Sequence, residues 1–187
     1  LFHLPEGVTY LDGNSLGPMV KAAPARMAKA MTEEWGEMLI RGWNKAGWMA
    51  QPAQLGDRIG KLIGAAPGTV VLGDTLSIKV YQALASALEL RPDRKVILTD
   101  VNNFPSDLYI LQGAIDLLGD QHQLELAPST DGIHGPEADL VQRLDERTAL
   151  LTLSHTVFKS GFVYDMAGMT AAAHAAGALT LWDLSHS

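Results

Sequence analysis

The sequence predicts an α/β fold: alternating βα units forming a mostly parallel sheet, preceded by an N-terminal helical segment. Three observations predict it. From residue 69 onward, short apolar runs alternate with longer stretches of helical periodicity, the pattern of strands joined by crossover helices. The turns at the ends of those runs are polar, rich in Asp, Asn, Ser and Gly, which is where such sheets bind ligands. Finally, 187 residues of which 47% are apolar and 19% charged are enough for one globular core.

Residues 1–17, LFHLPEGVTYLDGNSLG, lack helical periodicity and carry turn residues throughout. The Gly-flanked polar loop around Ser15 suits either a surface turn or close approach of backbone amides to a ligand. From Pro24 to about Ile40, Met27, Met31, Trp35, Met38 and Leu39 recur at spacings of three and four, one apolar helical face. Gly42 and Gly47 then break the pattern and set Trp43 and Trp48 in a loop, where they need a core, a subunit or an aromatic ligand to pack on. A second amphipathic helix carries Leu55, Ile59, Leu62 and Ile63. The change of character near Pro67-Gly68 divides the chain into a loop and helical segment, 1–64, and a sheet-bearing part, 65–187.

Five strands are predicted in the second part: TVVL at 69–72, KVILTD at 95–100, QLELA at 123–127, ALLTLS at 149–154, and Leu179 to Trp182. Helices are predicted between them, to about Leu90, over 104–119, over 136–144 with Pro136 in its first turn, and over 165–177, with Gly177 as the stop.

The formal net charge of −7, with no basic cluster, excludes nucleic acid and anionic membrane surfaces as natural partners. No apolar run reaches the length of a bilayer span. Zero cysteines remove disulfides, thiolate nucleophiles and Cys-based metal sites. No signal-peptide pattern opens the chain, which makes the cytoplasm the default compartment. Leu1 in place of an initiator Met, and an end at Ser187 directly after a strand-end motif, read as part of a longer chain.

Four turns hold the candidate chemistry: GDTLS (73–77), DVNNFPSD (100–107), SHTVFKSG (154–161) and DLSHS (183–187). The first sets Thr75 and Ser77 at a helix start, fit for N-capping or for a phosphate; it is not a Walker loop, and no GxGxxG joins a strand to a helix. In the second, Phe104 before Pro105 is either a hydrophobic staple or a rigid face for a flat ring, and Ser106 and Asp107 are equal candidates for the N-cap of the following helix. In the last, Asp183 either caps the turn at the end of its strand or holds a charge partner out of water. A phosphate-binding helix start, a stacking aromatic and a strand-end carboxylate together suit a flat, phosphorylated, basic heterocycle. Pyridoxal phosphate fits, because an Asp beside its ring nitrogen keeps that nitrogen protonated.

YLDGNSLG, the RGW loop, NNFPSD, SH…SG and AGALTLWDLSHS, in that order, resemble kynureninase, a fold-type I pyridoxal-phosphate enzyme of the class V aminotransferase superfamily, over essentially all 187 residues. The resemblance implies that residues 65–187 are the first part of the cofactor-binding large domain. It implies cofactor contacts from Leu76, Ser77, Phe104, Asp107, Ser154, Asp183 and His186, with Asp183 on the ring nitrogen and Phe104 stacked on the ring. Ser15 and Trp43 match positions near the substrate. It also implies a homodimer with sites at the subunit interface, and hydrolysis of L-kynurenine or its 3-hydroxy form to anthranilate or 3-hydroxyanthranilate and L-alanine.

Two features depart from the pattern. His155 is followed by Thr-Val-Phe, where the superfamily often shows Asn and an aromatic, and Val157 cannot supply an amide contact. The family's Schiff-base lysine, preceded by a Tyr, lies downstream of the Asp-x-x-His motif, beyond Ser187. Lys21, Lys29, Lys45, Lys61, Lys79, Lys95 and Lys159 each read as solvated charges instead. The catalytic residue is therefore expected outside these 187 residues, which by themselves should not hydrolyse kynurenine. Other readings are a class V desulfurase or aminotransferase, in which desulfurases usually present His where Phe104 stands, and a non-catalytic binding module.

Overall fold

A computed structural model describes residues 1–119 and 121–187, which divide into two compact units, Leu1–Asp74 and Thr75–Ser187. In the second unit, four strands form one parallel sheet: β1 (Val96–Asp100), β2 (Gln123–Ala127), β3 (Thr148–Ser154) and β4 (Leu179–Asp183), ordered β2-β1-β3-β4. β1 and β3 are buried at every residue, which is why they read as continuous apolar runs and not as alternating ones. Val96 and Leu98 face one core with Leu151, Leu153, Met169 and Ala173. Ile97 faces the other with Leu84, Leu111 and Leu150.

Helices cover both faces. α4 (Leu76–Leu90) and α5 (Pro105–Leu117) pack together on one, while α6 (Glu137–Arg143) and α7 (Met166–Ala175) share the other. Asp165 caps α7, its Oδ1 accepting from Gly168 N–H at 3.0 Å. Gly177 stops the helix as predicted, in the left-handed region with φ 79°. The Arg94 guanidinium donates to the carbonyls of Thr148 and Ala176 at 2.9 and 2.8 Å, placing a cation at the negative end of α7 and tying it to the start of β3.

The expected strand at 69–72 does not form. Its backbone turns to α3 (Gln51–Ile63): Leu72 N–H donates to Pro52 O at 3.2 Å, and Val70 lies so close to Gly56 that a Cβ there would strike its carbonyl. A helix with glycine at 56 and 60 offers a groove into which an apolar run seats as well as it would into a sheet.

The single helix expected from Pro24 to Ile40 is also broken. α1 (Ala23–Lys29) runs into a π-helical turn, Ala30–Trp35, in which Gly36 N–H reaches Met31 O at 2.9 Å. That widened turn brings Glu34 inward, where it accepts from Arg26 at 3.0 Å and from the Trp48 indole at 2.9 Å. A 3₁₀ turn, Leu39–Arg41, comes next, and Trp43 lies on a short helix, α2 (Gly42–Lys45), and not in a loop.

At the end of β1, Asp100 is 1% exposed and accepts a hydrogen bond from the Tyr164 hydroxyl, itself 2% exposed. Burial pushes both groups up in pKa, and the Asp100 charge adds to the effect on Tyr164. Tyr164→Phe strands that carboxyl without its side-chain donor. It is expected to lower stability by about 1.5–3 kcal/mol, read as a lower urea midpoint at unchanged slope.

Candidate functional site

The strand order reverses between β1 and β3: the connection from β1 leaves toward β2, and that from β3 leaves toward β4. A crevice opens beyond the carboxyl ends of two strands whose connections part in this way. The candidate residues of the second unit gather there. From the end of β1 come Asn103, Phe104 and, one helical turn on, Asp107; β3 ends at Ser154, β4 at Asp183, and His186 lies three residues beyond.

Ser154 Oγ lies 2.7 Å from Asn103 Oδ1 and 3.3 Å from Asp183 Oδ2. The other oxygen of Asp183 is committed to its own turn, accepting from Ser185 N–H at 2.8 Å and Ser185 Oγ–H at 2.6 Å. Asp183 is thus 7% exposed, with Oδ1 bonded within its own loop and Oδ2 beside Ser154, and its side chain lines a cavity of the crevice. The rings of Phe104 and His186 lie 5.5 Å apart at a 32° tilt, and Phe158 closes the group at 4.9 Å from Phe104 and 6.0 Å from His186. Lys159 sits over the Phe158 ring at 5.5 Å.

Leu76, Asp107, Thr152 and Asp183 line a cavity of about 200 Å³ between α4 and the sheet, together with Lys79, whose ammonium also donates to Gln82 at 3.0 Å. Ser77 is beside Leu76 in the first turn of α4, a 15-residue helix whose N-cap residue, Thr75, makes no side-chain cap hydrogen bond. Burial first, and then the neighbouring Asp183 charge, push the Asp107 carboxyl up to about 6; Ser106 and His186 oppose the shift.

The structure therefore brings together Leu76, Phe104, Asp107, Ser154, Asp183 and His186, while Ser77 is an exposed residue of the same helical turn as Leu76. Val157 is 3% exposed within the core, consistent with its unsuitability as a polar contact. Ser15 and Trp43 belong to the first unit. Ser15 Oγ–H donates to Asp12 at 2.7 Å within its own turn, and Trp43 is half exposed, edge-on to Trp48 at 6.1 Å. Sequence reasoning missed Asn103 and Phe158. Both lie in the turns it selected, and their side-chain directions were the unreadable part. No group of His, Cys, Asp and Glu among the described residues is arranged to hold a metal ion.

The chain is 47% identical over its whole length to a kynureninase of Pseudomonas fluorescens and to one of Burkholderia pseudomallei (strain 1106a). It spans 44% of each of those proteins. Among solved structures, a NifS-like protein matches with a TM-score of 0.74 and 14% identity, over 94% of this chain and 48% of that one. A C-DES mutant with glycine covalently linked to the PLP cofactor matches with a TM-score of 0.72 and 19% identity, over 97% of this chain and 48% of that one. No family model matches. The resemblance to kynureninase read from the motifs thus extends along the entire chain, and the fold is that of fold-type I pyridoxal-phosphate enzymes.

The Asp107 carboxyl gives a pH signature. It releases its proton at about pH 6 in the folded chain against 3.8 ordinarily, so between those values the folded chain binds more protons than the unfolded one. Stability then falls as pH rises through that window, and the full cost is present above it. Asp107→Asn removes this cost. The variant is expected to gain about 1–3 kcal/mol over the wild type at pH 7.5 and little at pH 4, measured by urea unfolding of the cofactor-free chain at both values.

Proposed function

We propose that this chain is part of a pyridoxal-phosphate enzyme that hydrolyses L-kynurenine, or 3-hydroxykynurenine, to anthranilate, or 3-hydroxyanthranilate, and L-alanine. This is a C–C bond hydrolysis belonging to tryptophan degradation and NAD biosynthesis. The observation that carries the reading is the strand-end carboxylate Asp183, bonded within its own loop through Oδ1 and lining a cavity of the crevice, in a chain 47% identical to kynureninases throughout.

The residues present fit the cofactor. The N-terminus of α4 at Leu76 and Ser77 offers backbone N–H groups and the positive end of a helix dipole to a phosphate. Phe104, with Phe158 and His186 around it, offers an aromatic surface to a flat ring. Asp183 would hold a proton on the ring nitrogen, and Ser154 and Asp107 flank that carboxylate. When bound, pyridoxal phosphate supplies the electron sink that lets bonds at the substrate's Cα and Cβ break. The chain's own part is to anchor, stack and keep that sink protonated in a site shielded from water.

For the substrate we assign Trp43 to its aromatic ring and Ser15 to its vicinity. Trp43 suits that role because Trp48, pinned by Glu34, braces it from the side while half of its surface stays open. We further propose a cytoplasmic homodimer. Met27, Met31 and Trp35, all exposed at helical spacing, are apolar surface of the kind a second subunit covers. Of the lysines near the crevice, Lys79 donates to Gln82 and Lys159 lies over the Phe158 ring, and neither is assigned a part in the reaction. Among the described residues no helix is long and apolar enough to cross a membrane.

The test is anthranilate fluorescence from the longest expressible chain that contains this sequence, supplied with pyridoxal phosphate and L-kynurenine. Signal should appear, and Asp183→Asn should reduce kcat/KM about a hundredfold or more. A folded, cofactor-loaded chain that leaves kynurenine untouched and releases alanine from cysteine would make it a desulfurase. A chain that takes up no cofactor would make it a binding module.

A further inference from the structure

Asn103 is 4% exposed and stands where β1 and β3 part, between Ser154 at 5% and Thr99 at 0% exposure. The orientation of its amide is set by its neighbours. The Phe104 backbone N–H points at one end of the amide at 2.8 Å, and a backbone N–H can face only an oxygen there. The other end is then the NH2, which donates to Thr99 Oγ1 at 3.1 Å. The oxygen that receives Phe104 also lies 2.7 Å from Ser154 Oγ, and because it bears no hydrogen, Ser154 must be the donor.

A serine hydroxyl has one hydrogen. Once it is given to Asn103, none remains for Asp183 Oδ2 at 3.3 Å, toward which Ser154 presents lone pairs. Asp183 Oδ1 is already supplied twice by Ser185. Asp183 therefore reaches the crevice with one oxygen that its Ser154 neighbour does not satisfy, at a buried position where an added donor or cation counts most.

We infer that Asn103 is a positioning residue for Asp183: by drawing the Ser154 hydroxyl hydrogen to itself, it keeps Asp183 Oδ2 in reserve as the acceptor for a cationic ring N–H. The same oxygen fixes the Phe104 amide, so one side chain positions both the aromatic Phe104 and, through Ser154, the Asp183 carboxylate. The inference rests on the pyridoxal-phosphate reading above. Remove the Asn103 oxygen and the Ser154 hydroxyl turns to Asp183, becoming a competitor for that oxygen.

The experiment uses the longest expressible chain containing this sequence, with pyridoxal phosphate as the probe. Two quantities are measured: the dissociation constant of the cofactor, and the pH midpoint of the visible absorption of the bound cofactor. Asn103→Ala should weaken binding about tenfold and lower the midpoint by about one pH unit. Adding Ser154→Ala to it should recover most of both losses, because the competitor is gone; a purely structural role for Asn103 predicts no such recovery. Asn103→Asp, which keeps an acceptor for Ser154 and for Phe104 N–H, should hold the cofactor at least as tightly as the wild type and serves if the Ala variant does not fold. Unchanged binding and midpoint in Asn103→Ala, a double variant no better than the single one, or an Asp variant that has lost the cofactor would each overturn the inference. A wild type that takes up no cofactor would overturn the underlying reading, and the inference with it; a wild type that binds while the variants behave otherwise than stated overturns the inference alone.

Discussion

The pairing of β1 with β3 is the constraint on which the rest of this unit depends. Ile97 lies beside Leu150 and Leu98 beside Leu151, in two strands with no exposed residue. Parallel strands buried on both faces can be joined only by long crossovers. Here the crossovers leave β1 and β3 in opposite directions, so the carboxyl ends of this pair cannot be covered by their own connections. The pair is tied at both ends by side-chain hydrogen bonds. At the amino end, Arg94 draws Thr148 and the end of α7 together; at the carboxyl end, Asn103 and Ser154 bond across the gap. A crevice that the topology forces open is thereby given fixed walls.

The fold was legible to the extent that its elements announce themselves by periodicity. β1 and β3 read correctly because burial on both faces leaves unbroken apolar runs at Val96–Leu98 and Ala149–Leu151, and Gly177 stopped α7 because it takes up the left-handed conformation there. The run at 69–72 was equally apolar, and periodicity cannot tell a strand from an extended segment packed on a helix. The signal that separates them lies elsewhere in the chain, in Gly56 and Gly60 one turn apart on α3, where missing side chains make room for Val70. The π-helical turn at Ala30–Trp35 was illegible for a different reason. It exists to bring Glu34 to Trp48 and Arg26, a tertiary demand that no local propensity encodes.

The site was legible as a set of turns and illegible as a set of contacts. Strand ends in a parallel sheet are where polar residues converge, so the turns that hold Ser154, Asp183 and His186 could be selected by position, while Ser154 and His186 were singled out within them by the resemblance to kynureninase. Asn103 sits next to Phe104 in the same turn, yet its value lies in an oxygen that takes two donors at once, one from its own loop and one from a strand 51 residues away. Phe158 likewise stands in a turn the sequence flagged, and only the folded chain shows it against Phe104 and His186.

Fold likeness and sequence likeness constrain the chemistry differently. Solved structures matched at 14% and 19% identity share the fold, and a scaffold of this kind serves several reactions. The reaction must therefore be argued from groups within the crevice. Two carboxylates, Asp107 and Asp183, line one small cavity there, and the first is pushed up in pKa largely by burial and by the charge of the second. Such crowding favours positive charge nearby: Lys79 lines the same cavity, and a cationic ligand would add to it. A protonated aromatic nitrogen, flat enough for Phe104 and anionic at its far end for the start of α4, meets each demand with a different part of one molecule. On the proposed reading, the sheet sets where such a molecule would sit, and the Asp107 and Asp183 carboxylates are where its cationic nitrogen would fit.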